Sequence, residues 1–189
     1  MTRLLIIGPP GSGKGTQAAR ISERLGVVAI STGDIFRANV KEMTPLGVEA
    51  KKYIDNGDFV PDSVTNNMVR DRLHQEDVID GFLLDGYPRT APQVIALDEI
   101  LAEKDAKLDA VLLLTANDDE LVERLLKRAE IEGRQDDNAD VIRHRLSLYH
   151  QETQVVIDQY QDRGIVREVD GLGEIDEVTE RVLAALGAE

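Results

Sequence analysis

The chain has 189 residues, of which 42% are hydrophobic and 31% charged, a balance that excludes extended disorder and allows one globular core. Its formal net charge of −14 excludes nonspecific binding to nucleic acid or to an anionic membrane, because the overall field repels both. The absence of cysteine excludes disulfides and thiolate metal sites. No apolar run is long enough for a signal-peptide core or a membrane span, so we expect a cytoplasmic protein.

Short apolar runs predict the strands of a sheet. Each run is nearly continuous, which is typical of strands that are buried on both faces of a parallel sheet. The runs occupy residues 4–7, 27–30, 82–84, 110–114 and 165–169. Polar sequence of helical character follows each run, and this alternation predicts an α/β fold with helices on both faces of the sheet.

The first helices carry recognisable start and stop signals. A helix is predicted over residues 17–25, beginning near Lys14, with Gly26 placed to end it. Ser31 and Asp34 have the spacing of a capping box, which predicts a second helix directly after the second strand.

Residues 31–81 form a connection between the second and third strands that is longer than one crossover helix needs. Within it, residues 47–56 are predicted to form a short helix, and Asp62 is predicted to cap the next one. We therefore interpret residues 31–60 as a segment inserted into one core that spans residues 1–189.

The sequence GPPGSGKGT, residues 8–16, resembles a phosphate-binding loop between a strand and a helix. In such a loop, backbone N–H groups and the helix N-terminus face a phosphate, and Lys14 reaches the β- and γ-phosphates. The general pattern has Ser or Thr after the lysine, whereas this chain has Gly15. Without that hydroxyl, Mg²⁺ is expected to be held mainly by nucleotide phosphates and waters.

Asp85 directly follows the apolar run 82–84. The carboxyl ends of strands form the edge at which open α/β sheets meet their ligands, so we expect Asp85 to orient waters on magnesium. The alternative is that this carboxylate caps a helix or faces solvent.

Several motifs, in the same order along the chain, resemble those of the adenylate kinase family. The loop has the form GxxGxGKGTQ, residues 31–37 read STGDIFR, and residues 85–93 resemble DG[FY]PRTxxQ. Further matches lie within residues 124–171, so the resemblance covers nearly the whole chain. It implies a P-loop core with a five-stranded parallel sheet in the order 2-3-1-4-5.

The resemblance also implies two nucleotide sites and an activity. ATP would contact Gly11, Ser12, Gly13, Lys14, Gly15, Thr16, Arg128 and Gly173. AMP would contact Thr32, Arg37, Asp58, Phe59, Val60, Gly86, Tyr87, Pro88, Arg89, Gln93, Arg134 and Arg145. The catalytic set would be Lys14, Arg89, Arg124, Arg134 and Arg145. The implied reaction is the reversible transfer of a phosphoryl group from Mg²⁺-ATP to AMP, giving two ADP, in adenine nucleotide homeostasis and purine salvage.

The residue chemistry agrees with these assignments. The amide of Gln93 carries both a donor and an acceptor, so it can pair bidentately with the edge of an adenine. The second pKa of a phosphate monoester is about 6, so the acceptor needs no general base and the histidines are expected to serve packing or solvation.

Each arginine taken alone also fits an ordinary charged helix face, as in the i,i+4 pair of Glu120 with Arg124. The like charges of Arg124 and Arg128, also i,i+4, favour a bound anion.

Only five residues, 129–133, separate Arg128 from Arg134, which resembles the short-lid form of the family and leaves no room for a zinc-bearing lid. Residues 129–135 and 31–60 are predicted to close over the substrates and exclude water. Gly133 is interpreted either as a hinge or as a helix C-cap.

Two alternative functions remain open from the sequence. A UMP/CMP kinase shares the phosphate machinery, although Thr90 followed by Gln93 favours the adenylate branch. A nucleotide-binding switch or ATPase would not need a second set of phosphate-binding arginines, and the NKxD guanine motif of GTPase switches is absent. One chain carries every predicted catalytic group, so a monomer suffices.

Overall fold

The apolar runs form one parallel sheet. The computed structural model describes residues 1–134 and 138–188. Within these residues the strands are β1 (Thr2–Ile7), β2 (Val28–Ser31), β3 (Gly81–Asp85), β4 (Ala110–Thr115) and β5 (Val166–Asp170). Neighbouring strands are parallel, and their order is β2-β3-β1-β4-β5. The predicted strands and their order are therefore confirmed, with ends that differ by one or two residues.

Each strand is followed by one or more helices. They are α1 (Lys14–Leu25), α2 (Thr32–Glu42), α3 (Pro45–Ile54), α4 (Asp62–Leu73), α5 (Ala91–Ala102), α6 (Asp118–Glu132), α7 (Ala139–Leu148), α8 (Gln154–Asp162) and α9 (Ile175–Leu186). A 3₁₀ turn lies at Glu76–Val78 and a π-helical turn at Tyr149–Thr153. Among the described helices, none has the length and apolar character that crossing a membrane would demand.

Both faces of the sheet are covered. On β1, Leu5 and Ile7 belong to a buried layer that includes residues of α4, α5 and α8. The alternate residues, Leu4 and Ile6, belong to the opposite layer with α1 and α9. Because successive side chains of a strand point to opposite faces, a continuous apolar run is what a strand between two helical layers requires.

Two of the predicted helix starts need correction. Helix α3 begins at Pro45, two residues earlier than predicted, because the Thr44 hydroxyl caps the N–H of Gly47 at 3.0 Å and proline is favoured in the first turn. Asp62 is the first residue of α4 rather than its cap, a position taken by Pro61. The predicted cap of α2 is confirmed, since Ser31 accepts a hydrogen bond from the Asp34 N–H at 3.2 Å.

The segment 31–60 has an apolar cluster of its own. Phe36, Ala50 and Val60 are its buried members, and Met68 of α4 packs against them. The segment therefore combines a local cluster with attachment to the core at both of its ends. That it forms a nucleotide-binding insertion remains a prediction.

Candidate active site

The carboxyl ends of the central strands create the setting of the site. Asp85, the last residue of β3, is in register with Ile6 of β1 and with Ser31 of β2. Strand β1 lies between β3 and β4, so the connections from the two sides diverge at its end, which is where open α/β sheets bind ligands. The glycine-rich loop, residues 8–13, occupies this point.

The geometry of the loop requires its glycines. Gly11 has a φ of 81°, in the left-handed region, and a Cβ at this position would lie 2.8 Å from Cγ of Leu125. Helix α1 starts at Lys14, so its free N–H groups and its positive dipole end face the loop. The Lys14 ammonium donates a hydrogen bond to the carbonyl of Pro9 at 3.2 Å.

Lys14 lies near several arginines and one carboxylate. Desolvation is the largest cause that lowers the pKa of its ammonium from 10.5 to about 8. The Asp85 carboxylate acts in the opposite direction, while Arg89, Arg145 and Arg128 lower the pKa further. A polyphosphate bound beside Lys14 would bring negative charge to the ammonium and raise its pKa again.

Asp85 is a buried carboxylate close to Gly15 of the phosphate loop. Only 9% of Asp85 is exposed, and burial raises the pKa of its carboxyl against the opposing effects of Lys14 and Arg89. A Cβ at Gly15 would lie 3.8 Å from Oδ2 of Asp85, so the glycine leaves room next to that oxygen. The described residues include no group of three or more side chains able to chelate a metal, and a single carboxylate suits an ion that is also bound by phosphates and waters.

The turn that follows β3 closes tightly against α2. Gly86 has a φ of 89°, and a Cβ there would lie 2.5 Å from Oγ1 of Thr32. The peptide bond between Tyr87 and Pro88 is cis. Tyr87 is 1% exposed, and its hydroxyl donates to Oδ1 of Asn66 in α4 at 2.7 Å. The turn is thereby fixed to both flanking helices.

Arg89 is held through its peptide group and through its side chain. Its N–H donates to Oε1 of Gln93 at 2.7 Å, and its carbonyl accepts from the Thr153 hydroxyl at 3.1 Å. The guanidinium lies 5.5 Å from the ring centroid of Phe59. Desolvation, followed by the charge of Arg145, lowers the Arg89 pKa to about 10. The guanidinium remains a cation at neutral pH.

One cleft joins Lys14 to the residues predicted for AMP. All of them except Arg134 line it: Thr32, Arg37, Asp58, Phe59, Val60, Gly86, Tyr87, Pro88, Arg89, Gln93 and Arg145. Thr65, Tyr149 and Thr153 also line the cleft and were not predicted as site residues. The π-helical turn carries the last two, and π-helical turns are frequent at functional sites. A hydrophobic pattern with a 3.6-residue period carries no signal for such a turn.

The other predicted residues lie beyond the lining of this cleft. Arg124 pairs with Glu120 at 3.3 Å within α6, and the Nε of Arg134 donates to Glu132. Arg128 is close enough to Lys14 to lower its pKa. Gly133 has a φ of 62° and forms the C-cap of α6. Of the predicted lid, residues 129–134 are described, and the last residue, Gln135, lies outside the described residues.

The loop after β5 lies against the phosphate loop. The N–H of Gly171 donates to the carbonyl of Thr115 at 2.8 Å. A Cβ on Gly171 would lie 3.1 Å from the carbonyl oxygen of Ser12. Gly173, predicted to contact ATP, has a φ of 111° in the same loop. This contact brings the loop that carries Gly173 beside residues 8–16.

The histidines lie outside the lining of the cleft, and each one pairs with a carboxylate. The pairs are His74 with Glu103 at 3.5 Å, His144 with Asp58 at 2.6 Å, and His150 with Asp118 at 3.1 Å. Sequence reasoning did not foresee these pairs, because the partners are distant along the chain.

A glycine-rich loop with a lysine at the following helix start, placed at the switch point of a parallel sheet and next to a cleft lined by arginines, is typical of a P-loop phosphotransferase fold. The family model described as adenylate kinase matches residues 6–165. Adenylate kinase of Pseudarthrobacter chlorophenolicus is 72% identical over 100% of this chain and 98% of its own length. That of Micrococcus luteus is 69% identical over 98% and 91%, and that of Nocardia farcinica 55% identical over 98% and 99%. The chain belongs to the adenylate kinase family.

Proposed function

We propose that the protein transfers the terminal phosphoryl group of Mg²⁺-ATP to AMP, reversibly, giving two ADP, and so serves adenine nucleotide homeostasis and purine salvage. The observation that carries this proposal is the single cleft that joins Lys14 of the phosphate loop to Arg89, Arg145 and Gln93. A simple ATPase or a nucleotide switch has no need of a second set of phosphate-binding arginines beside the phosphate loop.

The residues that would bind ATP, the phosphoryl donor, would act through their charge and position. The N–H groups of the loop and the Lys14 ammonium bind the phosphates of ATP, and the charge that develops on the transferring group is stabilised by cations already in place. Asp85 would hold waters of Mg²⁺, and the ion would neutralise charge on the β- and γ-phosphates when bound. The position of Asp85 at the carboxyl end of β3, close to Gly15 of the phosphate loop, supports this assignment.

The site for AMP, the phosphoryl acceptor, needs cationic groups that bind its phosphate but needs no general base. At neutral pH the AMP phosphate has largely lost its second proton, so its oxygen can attack directly. The position of the histidines outside the cleft lining agrees with this requirement. Arg89 and Arg145 would orient the acceptor and stabilise the transition state as arginines supplied by the same chain.

Two segments of the chain would close over the bound substrates. Residues 31–60 would bind AMP and close over it together with the short lid at 129–135, and this closure would keep water from the phosphoryl group. The protein would act in the cytoplasm. It would act as a monomer, because one chain supplies every proposed catalytic group.

The proposal is tested by measuring ADP formation with purified protein, Mg²⁺-ATP and, in turn, AMP, CMP, UMP, GMP or no acceptor. Of these acceptors, we expect only AMP to support rapid ADP formation from Mg²⁺-ATP. A rate with CMP or UMP that matches the rate with AMP would favour a UMP/CMP kinase. An equal or faster release of ADP without any acceptor would indicate an ATPase or a switch and would remove the AMP assignments.

A further inference from the structure

A carboxylate behind the cleft fixes the orientation of the amide that faces it. Gln93 is 2% exposed and lines the cleft, and its Nε2 donates to Oδ1 of Asp62 at 2.8 Å. The hydroxyl of Thr90 donates to the same oxygen at 3.0 Å. Asp62 is half-buried and lies at the start of α4, in the first turn of the helix that follows the segment 31–60. It therefore ties Gln93 to another part of the chain.

The partners of Gln93 determine which end of its amide is oxygen and which is nitrogen. A carboxylate only accepts hydrogen bonds, so the group that faces Asp62 must be the NH₂. A peptide N–H only donates, so the group that faces the N–H of Arg89, at 2.7 Å, must be the oxygen. Reversing the amide would place donor against donor and acceptor against acceptor. After these two bonds, Gln93 retains one N–H and one lone pair for a ligand.

The geometry points to Asp62 as a positioning residue that fixes the Gln93 amide in the orientation that favours a 6-aminopurine over a 6-oxopurine. This inference rests on the proposed function, in which Gln93 contacts the base of the acceptor. A 6-aminopurine offers a donor at position 6 and an acceptor at N1, whereas a 6-oxopurine offers the reverse pair. A purine held by its ribose and phosphate therefore matches one orientation of the amide and opposes the other.

The test compares AMP with inosine monophosphate, which has an oxo group where AMP has an amino group. We expect Asp62→Ala to lower the AMP to inosine monophosphate ratio of kcat/KM by roughly tenfold, because a charge-assisted hydrogen bond no longer holds the amide. Asp62→Asn keeps the shape but weakens the acceptor, so the ratio should fall by about threefold. In both variants the KM for AMP should rise while kcat stays near the wild-type value, since the lost contact acts on the base.

Asp71→Ala is the matched control, because it removes an exposed carboxylate from the same helix and should leave the ratio unchanged. A loss of folded protein would reduce the rates with both substrates equally, so it would not move the ratio. An unchanged ratio in both Asp62 variants, with a lowered ratio in Gln93→Ala, would overturn the role of Asp62 alone. An unchanged ratio in Gln93→Ala would overturn the base contact itself, and a wild-type enzyme inactive with AMP would overturn the proposed function.

Discussion

The two halves of the cleft are built in different ways: a phosphate half contains Lys14 and Arg89, and a nucleoside half, named for its proposed ligand, contains Gln93 and the cleft residues of the segment 31–60. Lys14 begins α1 and Arg89 lies in the turn after β3, both beside the end of a sheet that is buried on its two faces. The segment 31–60 has only a small apolar cluster of its own. One of its contacts with α7 is the pair of Asp58 with His144, and both side chains are 46% exposed.

This difference matches the chemical demands on the two halves. Stabilising charge in a transition state requires groups that are fixed before the reaction, and a sheet end supplies such rigidity. Covering a substrate requires a part that can open, which is drawn from regions with few buried contacts. The comparison predicts that substitutions in the phosphate half change the rate, and that substitutions in the nucleoside half change selectivity or local opening.

The largest effect is expected from Arg89→Ala. Removing this cation should lower kcat by roughly 10³-fold, the scale of an arginine that stabilises phosphoryl transfer. The free energy of unfolding should change by no more than about 1 kcal/mol, since the contact with Phe59 is a cation–π interaction. Steady-state kinetics and urea unfolding measure the two quantities. Arg20→Ala, which removes an exposed arginine paired with Asp176, is the control, and turnover near the wild-type rate in Arg89→Ala would remove Arg89 from the catalytic set.

A smaller effect, on selectivity, is expected from Gln93→Ala. The ratio of kcat/KM for AMP over inosine monophosphate should fall by roughly tenfold to hundredfold, the discrimination that one bidentate amide contact provides. Competition assays with mixed acceptors measure this ratio directly. Gln154→Ala, which removes an exposed amide on α8, should retain the wild-type ratio. A ratio that does not change in Gln93→Ala would contradict the contact with the base.

The affinity for ATP should depend on the protonation of Lys14. The pKa of this group is about 8 in the folded protein, so above pH 8 binding of a polyphosphate must take up a proton, and affinity should fall by about tenfold for each pH unit. Folding has the opposite dependence. Between pH 8 and 10.5 the unfolded chain binds more protons at Lys14, so its contribution to stability rises with pH.

Calorimetric titration with a nonhydrolysable ATP analogue, in two buffers that differ in ionisation enthalpy, measures both the affinity and the proton uptake. Lys14→Met should abolish the uptake, whereas Lys107→Met, at an exposed site, should preserve it. A constant affinity from about pH 7 to about pH 9, roughly one unit on either side of the Lys14 pKa, would contradict the lowered pKa.

The smallest effect is expected at the pair that joins the segment 31–60 to α7. His144→Ala should speed hydrogen exchange of the amides at 55–60 by at most about fivefold, because an exposed side-chain pair contributes no more than about 1 kcal/mol. His150→Ala removes a pair with Asp118 instead and is the control.

A bisubstrate inhibitor should slow hydrogen exchange of the amides at 31–60 and 129–134 more than that of the amides in the strands. Exchange in both segments that does not respond to the inhibitor would contradict closure.

The sequence alone was sufficient for the sheet, its strand boundaries to within two residues, and the phosphate loop. These features depend on local signals: apolar runs that bury both faces, glycines at left-handed positions, and a lysine at a helix start. Gly26 ends α1 with a φ of 67° for the same local reason. The family resemblance supplied the strand order and many of the residues that line the cleft, but not Thr65, Tyr149 or Thr153.

Features that depend on contacts between distant residues were decided only by the tertiary structure. The pattern predicted Asp62 as a helix cap because a carboxylate after a proline is a common start signal, but its partners, Thr90 and Gln93, are 28 and 31 residues away. Thr153 contacts the Arg89 carbonyl across 64 residues. A side chain that can bond locally or at long range gives the same sequence signal in both cases, and packing of the helices against the sheet selects the partner.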